Sequence, residues 1–184
     1  MKLMAMKVLR KALAIAIICS ALFCYFYMAL DLFNNAQMNC IEYSVEIFSN
    51  GDFLALIPVV TDKDSRMHEV MKNLNVECVN CFVEITESEF GMVLKVVGRY
   101  HVAIKSNYSY HAPLLSSIDL IQLSTFEGDK KLRVYSNSSV KMKLFATSFV
   151  SQGLAFGGFS RIQICLDNVT LKEGWNIVEA KPLC

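Results

Sequence analysis

Two cysteines separated by two positions, Cys78 and Cys81, form the motif with the clearest chemical potential. Such a pair can form a disulfide, take part in thiol exchange or supply two of the four ligands of a zinc ion. Thiol exchange needs the first cysteine at the start of a helix, whereas this pair follows a predicted helix and opens a predicted strand. Zinc would need His101 and His111 as further ligands, and their ten-residue separation is not that of a zinc knuckle. We therefore expect a structural disulfide or buried thiols, with a metal or thiol site as the alternative.

Most of the seven cysteines are candidates for disulfide formation. Five of them follow residue 31, namely Cys40, Cys78, Cys81, Cys165 and Cys184. Disulfides form and persist outside the cytoplasm. An odd number allows at most two intramolecular disulfides and leaves one thiol, and the spacing alone does not fix the pairing. Cys19 and Cys24 fall in an apolar run, where thiols behave as small apolar groups.

Patterns typical of enzymes are missing from the sequence. His111 could be combined with a serine and Asp119 into a triad, but no Gly-x-Ser-x-Gly motif supports it. Gly157 and Gly158 lie in a glycine-rich segment without the Lys-Ser/Thr of a phosphate-binding loop, and they indicate a turn or bulge. We therefore predict no catalytic residues, no cofactor and no enzymatic activity.

Binding candidates lie in residues 106–113, which we predict to be a loop. The segment carries Tyr108, Tyr110 and His111. Tyrosine-rich segments offer a broad contact area at a low cost in conformational entropy. The alternative is that these rings cover the edge of the β-structure.

Three Asn-x-Ser/Thr sequons begin at Asn107, Asn137 and Asn168. The 11 Asn and 21 Ser and Thr residues of the chain predict about one sequon by chance. All three fall in predicted loops or turns, where glycans can attach in a host that has the machinery.

The N-terminal segment contains a run that can cross a membrane. Residues 12–30 carry no charge, and a helix of this length spans about 28 Å, close to the hydrocarbon thickness of a bilayer. Four basic residues precede the run, and the next one is Lys63. The positive-inside rule therefore predicts a single-pass protein of the cell membrane, with the N-terminus in the cytoplasm and the C-terminal domain outside.

Two alternatives to a plain anchor remain for this segment. A cleaved signal peptide could end at Ala29, although Tyr27 two positions earlier is large for a cleavage site. In addition, Lys11-Ala12 followed by Leu13-Ala14 and a long apolar run resembles the processing site of prokaryotic and archaeal pilin-like proteins. The resemblance implies a filament subunit whose apolar helix drives assembly.

The rest of the chain has the pattern of short strands separated by turns. Ile41, Tyr43, Val45 and Ile47 alternate with more polar residues, the pattern of a half-buried strand. Asn50-Gly51 predicts a tight hairpin turn before a second strand. One helix is expected over residues 65–74, and Gly98 is expected to mark a bulge or bend in a long strand that begins at Gly91.

Further strands are expected over residues 76–86, 114–124, 132–136, 140–149, 154–167 and 175–180. Near the end, the Leu-x-x-Gly-Trp-Asn run that begins at Leu171 is similar to the last hairpin of many secreted β-sandwich modules. Trp175, the single tryptophan, is expected to fill the core beneath that hairpin, with carbohydrate stacking as the alternative. The fold class we predict is mainly β, an N-terminal transmembrane helix followed by an antiparallel, jelly-roll-like β-sandwich with one short helix.

The predicted organisation is a cytoplasmic basic tip at residues 1–11, a transmembrane helix at 12–30, a short linker at 31–39 and an extracytoplasmic β-domain at 40–184. The chain holds 18 basic and 17 acidic side chains, so it lacks the charge excess of a nucleic-acid binder. The expected partners are the lipid bilayer, through residues 12–30, and a protein or glycan outside the cytoplasm. The expected role is binding or structural.

Overall fold

The computed structural model describes residues 2–35, 38–62, 64–111, 122–127, 131–151 and 159–181. These residues form one long α-helix, one short 3₁₀ turn and eleven β-strands, and every strand pairing is antiparallel. The prediction of a mainly antiparallel β protein with an apolar N-terminal helix is therefore confirmed.

Helix α1 runs from Lys2 to Asn35, so it begins ten residues before the predicted span of 12–30 and ends five residues after it. Its apolar window, Leu13–Leu30, has a mean hydropathy of 2.3 and is long and apolar enough to cross a membrane. No residue of this window is buried against the rest of the described chain. Strand β1 begins at Met38, so the ends of α1 and β1 occupy most of the predicted linker.

The strands differ widely in length. They are β1 (Met38–Pro58), β2 (Val60–Thr61), β3 (Asn75–Cys78), β4 (Phe82–Ser88), β5 (Gly91–His111), β6 (Gln122–Leu123), β7 (Phe126–Glu127), β8 (Lys131–Ser136), β9 (Val140–Ser151), β10 (Phe159–Leu171) and β11 (Gly174–Glu179). Nine of them form one sheet, and β2 pairs with β6 separately. The two longest strands, β1 and β5, lie side by side at the centre of the large sheet.

The predicted hairpin turn at Asn50-Gly51 is wrong, because the chain continues through it as one strand. The register of β1 against β5 shifts between Phe48 and Asp52, so three residues of β1 face the single residue Tyr100 of β5. Asn and Gly permit a bulge as readily as a turn, and here the partner strand decides between them. The bend expected near Gly98 is present two residues later, at Tyr100, whose φ is 65°.

The other strands are interrupted along the same line across the sheet. The Cys78–Cys81 connection separates β3 from β4 beside the bend of β5 at Tyr100. Residues 137–139 separate β8 from β9 beside the bulge of β1, and the register of β10 shifts between Leu166 and Val169. This line divides the sheet into two parts, which we call the first arm and the second arm. The first arm consists of β3, residues 101–111 of β5, residues 38–48 of β1, β9 and β10. The second arm consists of β4, residues 91–99 of β5, residues 52–58 of β1, β8 and β11.

Strand β1 folds back on itself at this line. The hydroxyl of Tyr43 in the first arm donates a hydrogen bond to the Pro58 carbonyl in the second arm over 2.9 Å. A straight strand would separate these residues by roughly 50 Å, at about 3.3 Å per residue. Side chains from both halves of β1, including Ile47 and Phe53, consequently belong to one buried cluster, to which β5, β8, β9, β10 and β11 also contribute.

Two local predictions are wrong. The helix expected over residues 65–74 is only a 3₁₀ turn, Glu69–Lys72, whose N-terminal Val70 N–H is capped by Nδ1 of His68 over 3.1 Å. The loop expected at residues 106–113 is strand as far as His111. Most of the strand predicted at 114–124, and the start of the one predicted at 154–167, lie outside the described residues.

Candidate functional site

Cys78 and Cys81 form a disulfide with a Cα–Cα distance of 6.0 Å. It closes the connection between two edge segments, β3 and β4, that pair with different halves of β5. Both cysteines are half-buried and pack against the core, whereas Val79 between them is 79% exposed. The disulfide predicted from the motif is therefore present, and it lies on the line where the sheet bends.

The histidines proposed as zinc ligands do not join this disulfide. His101 stacks on Phe48 of the neighbouring strand, with ring centroids 4.6 Å apart. Cys78 pairs with Val102, the residue after His101, and packs on the core side. The backbone of His111 pairs with Met38, and its side chain lies outside the described part. No group of three His, Cys, Asp or Glu side chains that could hold a metal occurs among the described residues.

The remaining described cysteines include free thiols and one further disulfide-bonded residue. Cys19 and Cys24 are free and exposed on α1, and Cys40 is free and half-buried in β1. Cys165 is disulfide-bonded, and its backbone N–H and carbonyl both pair with Lys181 near the C-terminus. Cys184 lies outside the described residues.

The tyrosines predicted for a binding loop lie in strand β5. The rings of Tyr108 and Tyr110 are 5.5 Å apart and pack against the buried core. The ring of His68 contacts Tyr108 edge-on at 5.7 Å. Both rings thus pack against the β-structure, and a binding role for Tyr108, Tyr110 and His111 stays a prediction.

The three sequon asparagines are all exposed. Asn107 lies on the outward side of β5, and Asn168 lies at the bulge of β10 with a φ of 51°. Asn137 has a structural contact as well, because its Oδ1 accepts the Leu54 N–H over 2.6 Å. The backbone N–H of Asn137 donates to the Leu54 carbonyl, so Asn137 joins the segment between β8 and β9 to strand β1.

A surface that sequence reasoning missed lies on the outward side of the second arm. Cross-strand register places Phe82 beside Val97, and Val97 beside Leu54. The next outward row joins Lys95, Leu56, Tyr135 and Trp175 across four strands. We call this surface the aromatic face and define it by Leu54, Leu56, Phe82, Val97, Tyr135, Trp175 and Ile177.

Several apolar side chains of the aromatic face are open to solvent. Phe82 is 54% exposed and Ile177 is 59% exposed. Trp175 is half-buried on the outward side of β11, so the expectation that it fills the core is wrong. Its ring meets Phe90 edge-on at 4.8 Å and Tyr135 at 5.5 Å.

Charged pairs border these apolar rows. Lys95 binds Glu84 over 2.7 Å and lies 5.9 Å from the Phe82 ring centroid. Arg99 binds Asp52 over 3.2 Å on the other side of the Phe82–Val97–Leu54 row. Arg133 lies 4.2 Å above the ring of Phe90. The face thus combines exposed rings and aliphatic groups with a border of both charge signs.

No protein-family model, curated protein or solved structure matches this chain.

Proposed function

We propose that the protein is anchored in the cell membrane by α1, with its β-domain outside the cytoplasm in a binding or structural role. The role would be that of an envelope, adhesion or complex subunit. The observation that carries the proposal is the apolar window Leu13–Leu30, which no part of the described chain buries.

An uncovered apolar helix of this kind is costly in water. Each buried CH₂ group contributes about 0.8 kcal/mol, so this uncharged and mostly apolar 18-residue window strongly favours a lipid environment. A helix also satisfies its backbone hydrogen bonds internally, as the hydrocarbon interior requires. The four basic residues before the window favour the orientation with that end in the cytoplasm.

We also infer that the two arms are the two layers of a β-sandwich. The Tyr43–Pro58 hydrogen bond and the shared buried cluster support this interpretation. The outward sides of both arms would then face solvent and be available to partners.

The aromatic face supports the binding role. Trp, Tyr and Arg dominate the energetics of protein interfaces, and Trp175, Tyr135 and Arg133 lie close together here. The ion pairs at its border resemble the polar rim around an apolar interface core. We therefore propose that the aromatic face binds a partner protein. If that partner is a second copy of this chain, sedimentation will show a dimer.

Cell-free translation with endoplasmic-reticulum microsomes tests the topology. The reporter is a variant with Asn107→Gln and Asn137→Gln, which leaves the sequon at Asn168, an exposed position. We expect its product to be glycosylated and to resist alkaline carbonate extraction. Thr170→Ala, which removes the sequon but keeps Asn168, is the matched control and should prevent glycosylation.

The opposite results have clear meanings. A product that carbonate releases and that carries no glycan would overturn the anchor and the orientation together. A glycosylated product with its mature N-terminus near Ala12 in the native host would instead favour the pilin-like alternative.

A further inference from the structure

One edge of the second arm is unpaired. Strand β4 pairs with β5 along its whole length, from Phe82 opposite Val97 to Ser88 opposite Gly91. Within the described part of the chain, no other strand pairs with β4, and no further backbone hydrogen bond joins it to another segment. Successive residues of a strand direct their N–H and C=O groups to opposite edges. Roughly half of the backbone groups of β4 therefore point away from β5 without a strand partner.

Strand β4 has little of the protection that edge strands usually carry. It contains no proline and no lysine, and its register with β5 has no bulge. Phe82 at its start is 54% exposed, and Val79 just before the strand is 79% exposed. Val83 and Ile85 pack against the core, so the inward side holds the strand in place. An extended segment of another protein can pair with such an edge without a change in the domain.

The charge of this region indicates which partner fits it. Residues 75–89, from the start of β3 to just after β4, hold four glutamates and no lysine, arginine or histidine. One of them, Glu84, already binds a lysine of β5 over 2.7 Å. Glu77, Glu87 and Glu89 are exposed, and no ion pair of the described residues includes them. Charge complementarity therefore favours a segment that carries lysine or arginine.

Strand β4 ends at a depression in the surface. The depression has a volume of about 480 Å³, and Glu87 and Ser88 of the strand line it. Its other described lining residues are neutral, and they include the hydroxyl and amide groups of Thr61, Gln122 and Ser124. Glu87 is thus the one charged group of the described lining. When a peptide adds to a sheet edge, main-chain hydrogen bonds supply affinity and pockets for its side chains supply specificity.

Two other occupants fit this edge less well. A second copy of the chain would place two β4 strands side by side, which brings glutamates together with no basic group in residues 75–89 of either copy. A nucleic acid or an anionic lipid surface would be repelled by the same carboxylates.

We propose that β4 binds an extended, basic segment of a partner protein. The segment pairs with the free edge of β4 as an additional strand and places one lysine or arginine side chain beside Glu87. This inference goes beyond the partner proposed for the aromatic face, because it assigns a second surface that shares only Phe82 with the first. Binding is measured on purified protein, so its failure and a failure of the membrane topology are distinguishable.

The test uses the full chain in a non-ionic detergent and three short synthetic peptides. The first peptide alternates lysine with valine, and the second has glutamate in place of each lysine. The third is the lysine peptide with N-methyl groups on two adjacent central residues, which block one backbone donor on each of its edges. Calorimetry measures binding, and hydrogen exchange with mass spectrometry measures the protection of residues 82–88.

We expect the lysine peptide to bind about tenfold or more tightly than either of the other two. It should also slow amide exchange in β4, because the outward N–H groups acquire acceptors. Absence of binding, equal binding of any two peptides, or binding without protection of β4 would each overturn the proposal.

Variants of exposed residues locate the basic side chain of the peptide. Glu87→Lys should weaken binding of the lysine peptide by about tenfold or more, and Glu87→Gln should weaken it less. Glu173→Lys is the matched control, because Glu173 is exposed between β10 and β11, and β11 forms the opposite edge of the second arm. This control should bind as the parent does. Equal losses for the two lysine variants would indicate a general effect of net charge and overturn the site.

Discussion

Tyr43 and Pro58 belong to the same β-strand, yet the Tyr43 hydroxyl donates a hydrogen bond to the Pro58 carbonyl over 2.9 Å. The contact is possible only because the bulge between Phe48 and Asp52 turns the strand back on itself. Tyr43 is 1% exposed, so the bond joins the two arms inside the core. The same fold leaves an outward face on each arm, and that of the second arm carries the aromatic face.

Replacing Tyr43 by phenylalanine should lower the free energy of unfolding, because it removes a hydrogen bond between the two arms. The substitution keeps the ring but leaves the buried Pro58 carbonyl without this donor, which costs about 1–2 kcal/mol of folding free energy. Urea unfolding followed by the fluorescence of Trp175 measures the change. Tyr100→Phe is the control, because Tyr100 is 54% exposed and its loss should change stability by less than about 0.5 kcal/mol. Equal stability of both variants would contradict the role of the bond.

The stability advantage of the parent over Tyr43→Phe should depend on pH in the alkaline range. Burial raises the pKa of the Tyr43 hydroxyl above its ordinary value of about 10. Above that pH the unfolded chain releases the proton while the folded chain retains it, so unfolding becomes more favourable. The advantage is therefore complete below about pH 10 and falls by about 1.4 kcal/mol per pH unit above it. Unfolding curves of parent and variant between about pH 8 and pH 11 test this, and a constant difference would contradict it.

Gly98 should be intolerant of any side chain. A Cβ at this position would lie 2.6 Å from Cγ2 of Val102 and 3.2 Å from Cζ of Phe53, both in the core. Gly98→Ala should therefore destabilise the protein by about 1–3 kcal/mol, the usual cost of overpacking. Gly51→Ala is the matched control, since nothing lies within 4 Å of its Cβ and the stability of this variant should be unchanged or slightly higher. Thermal unfolding of the two variants measures this difference in stability. Equal melting temperatures would show that the bend relaxes to accommodate the added methyl group.

Alternation of apolar residues predicted the strands well where the outward positions are polar. Ile41, Tyr43, Val45 and Ile47 all point into the core, as their spacing indicates. The same period is present in residues 106–111, but Ser106 and the tyrosines are not aliphatic, so composition pointed to a loop. The prediction of a turn at Asn50-Gly51 was wrong for a different reason. The segment is a bulge because it pairs with β5, and β5 is distant from it in the sequence.

The aromatic face could not be predicted from the sequence, because it depends on the register between strands that are distant in the chain. Phe82, Val97 and Leu54 are adjacent only through the pairing of β4, β5 and β1. The Cys78–Cys81 disulfide was predictable, because both residues lie in one local motif.

The cysteines should show a fixed pattern of oxidation in the purified full chain. Among the described residues three cysteines are free, Cys19, Cys24 and Cys40, and Cys165 is disulfide-bonded. If Cys184 is its partner, alkylation under denaturing, non-reducing conditions should modify three of the seven cysteines. Prior reduction should raise the number to all seven. Peptide mapping should find Cys78 linked to Cys81.

The second disulfide should link Cys165 to Cys184. Cys165 is disulfide-bonded, and once the free cysteines and the Cys78–Cys81 pair are assigned, Cys184 is the remaining partner within the chain. The backbone hydrogen bonds between Cys165 and Lys181 place Lys181, three positions before Cys184, beside this strand. Cys184→Ser should therefore release one additional thiol, at Cys165, whereas Cys40→Ser should reduce the free thiols to two. A map that links Cys40 to either residue would contradict this pattern, because Cys40 would then be bonded.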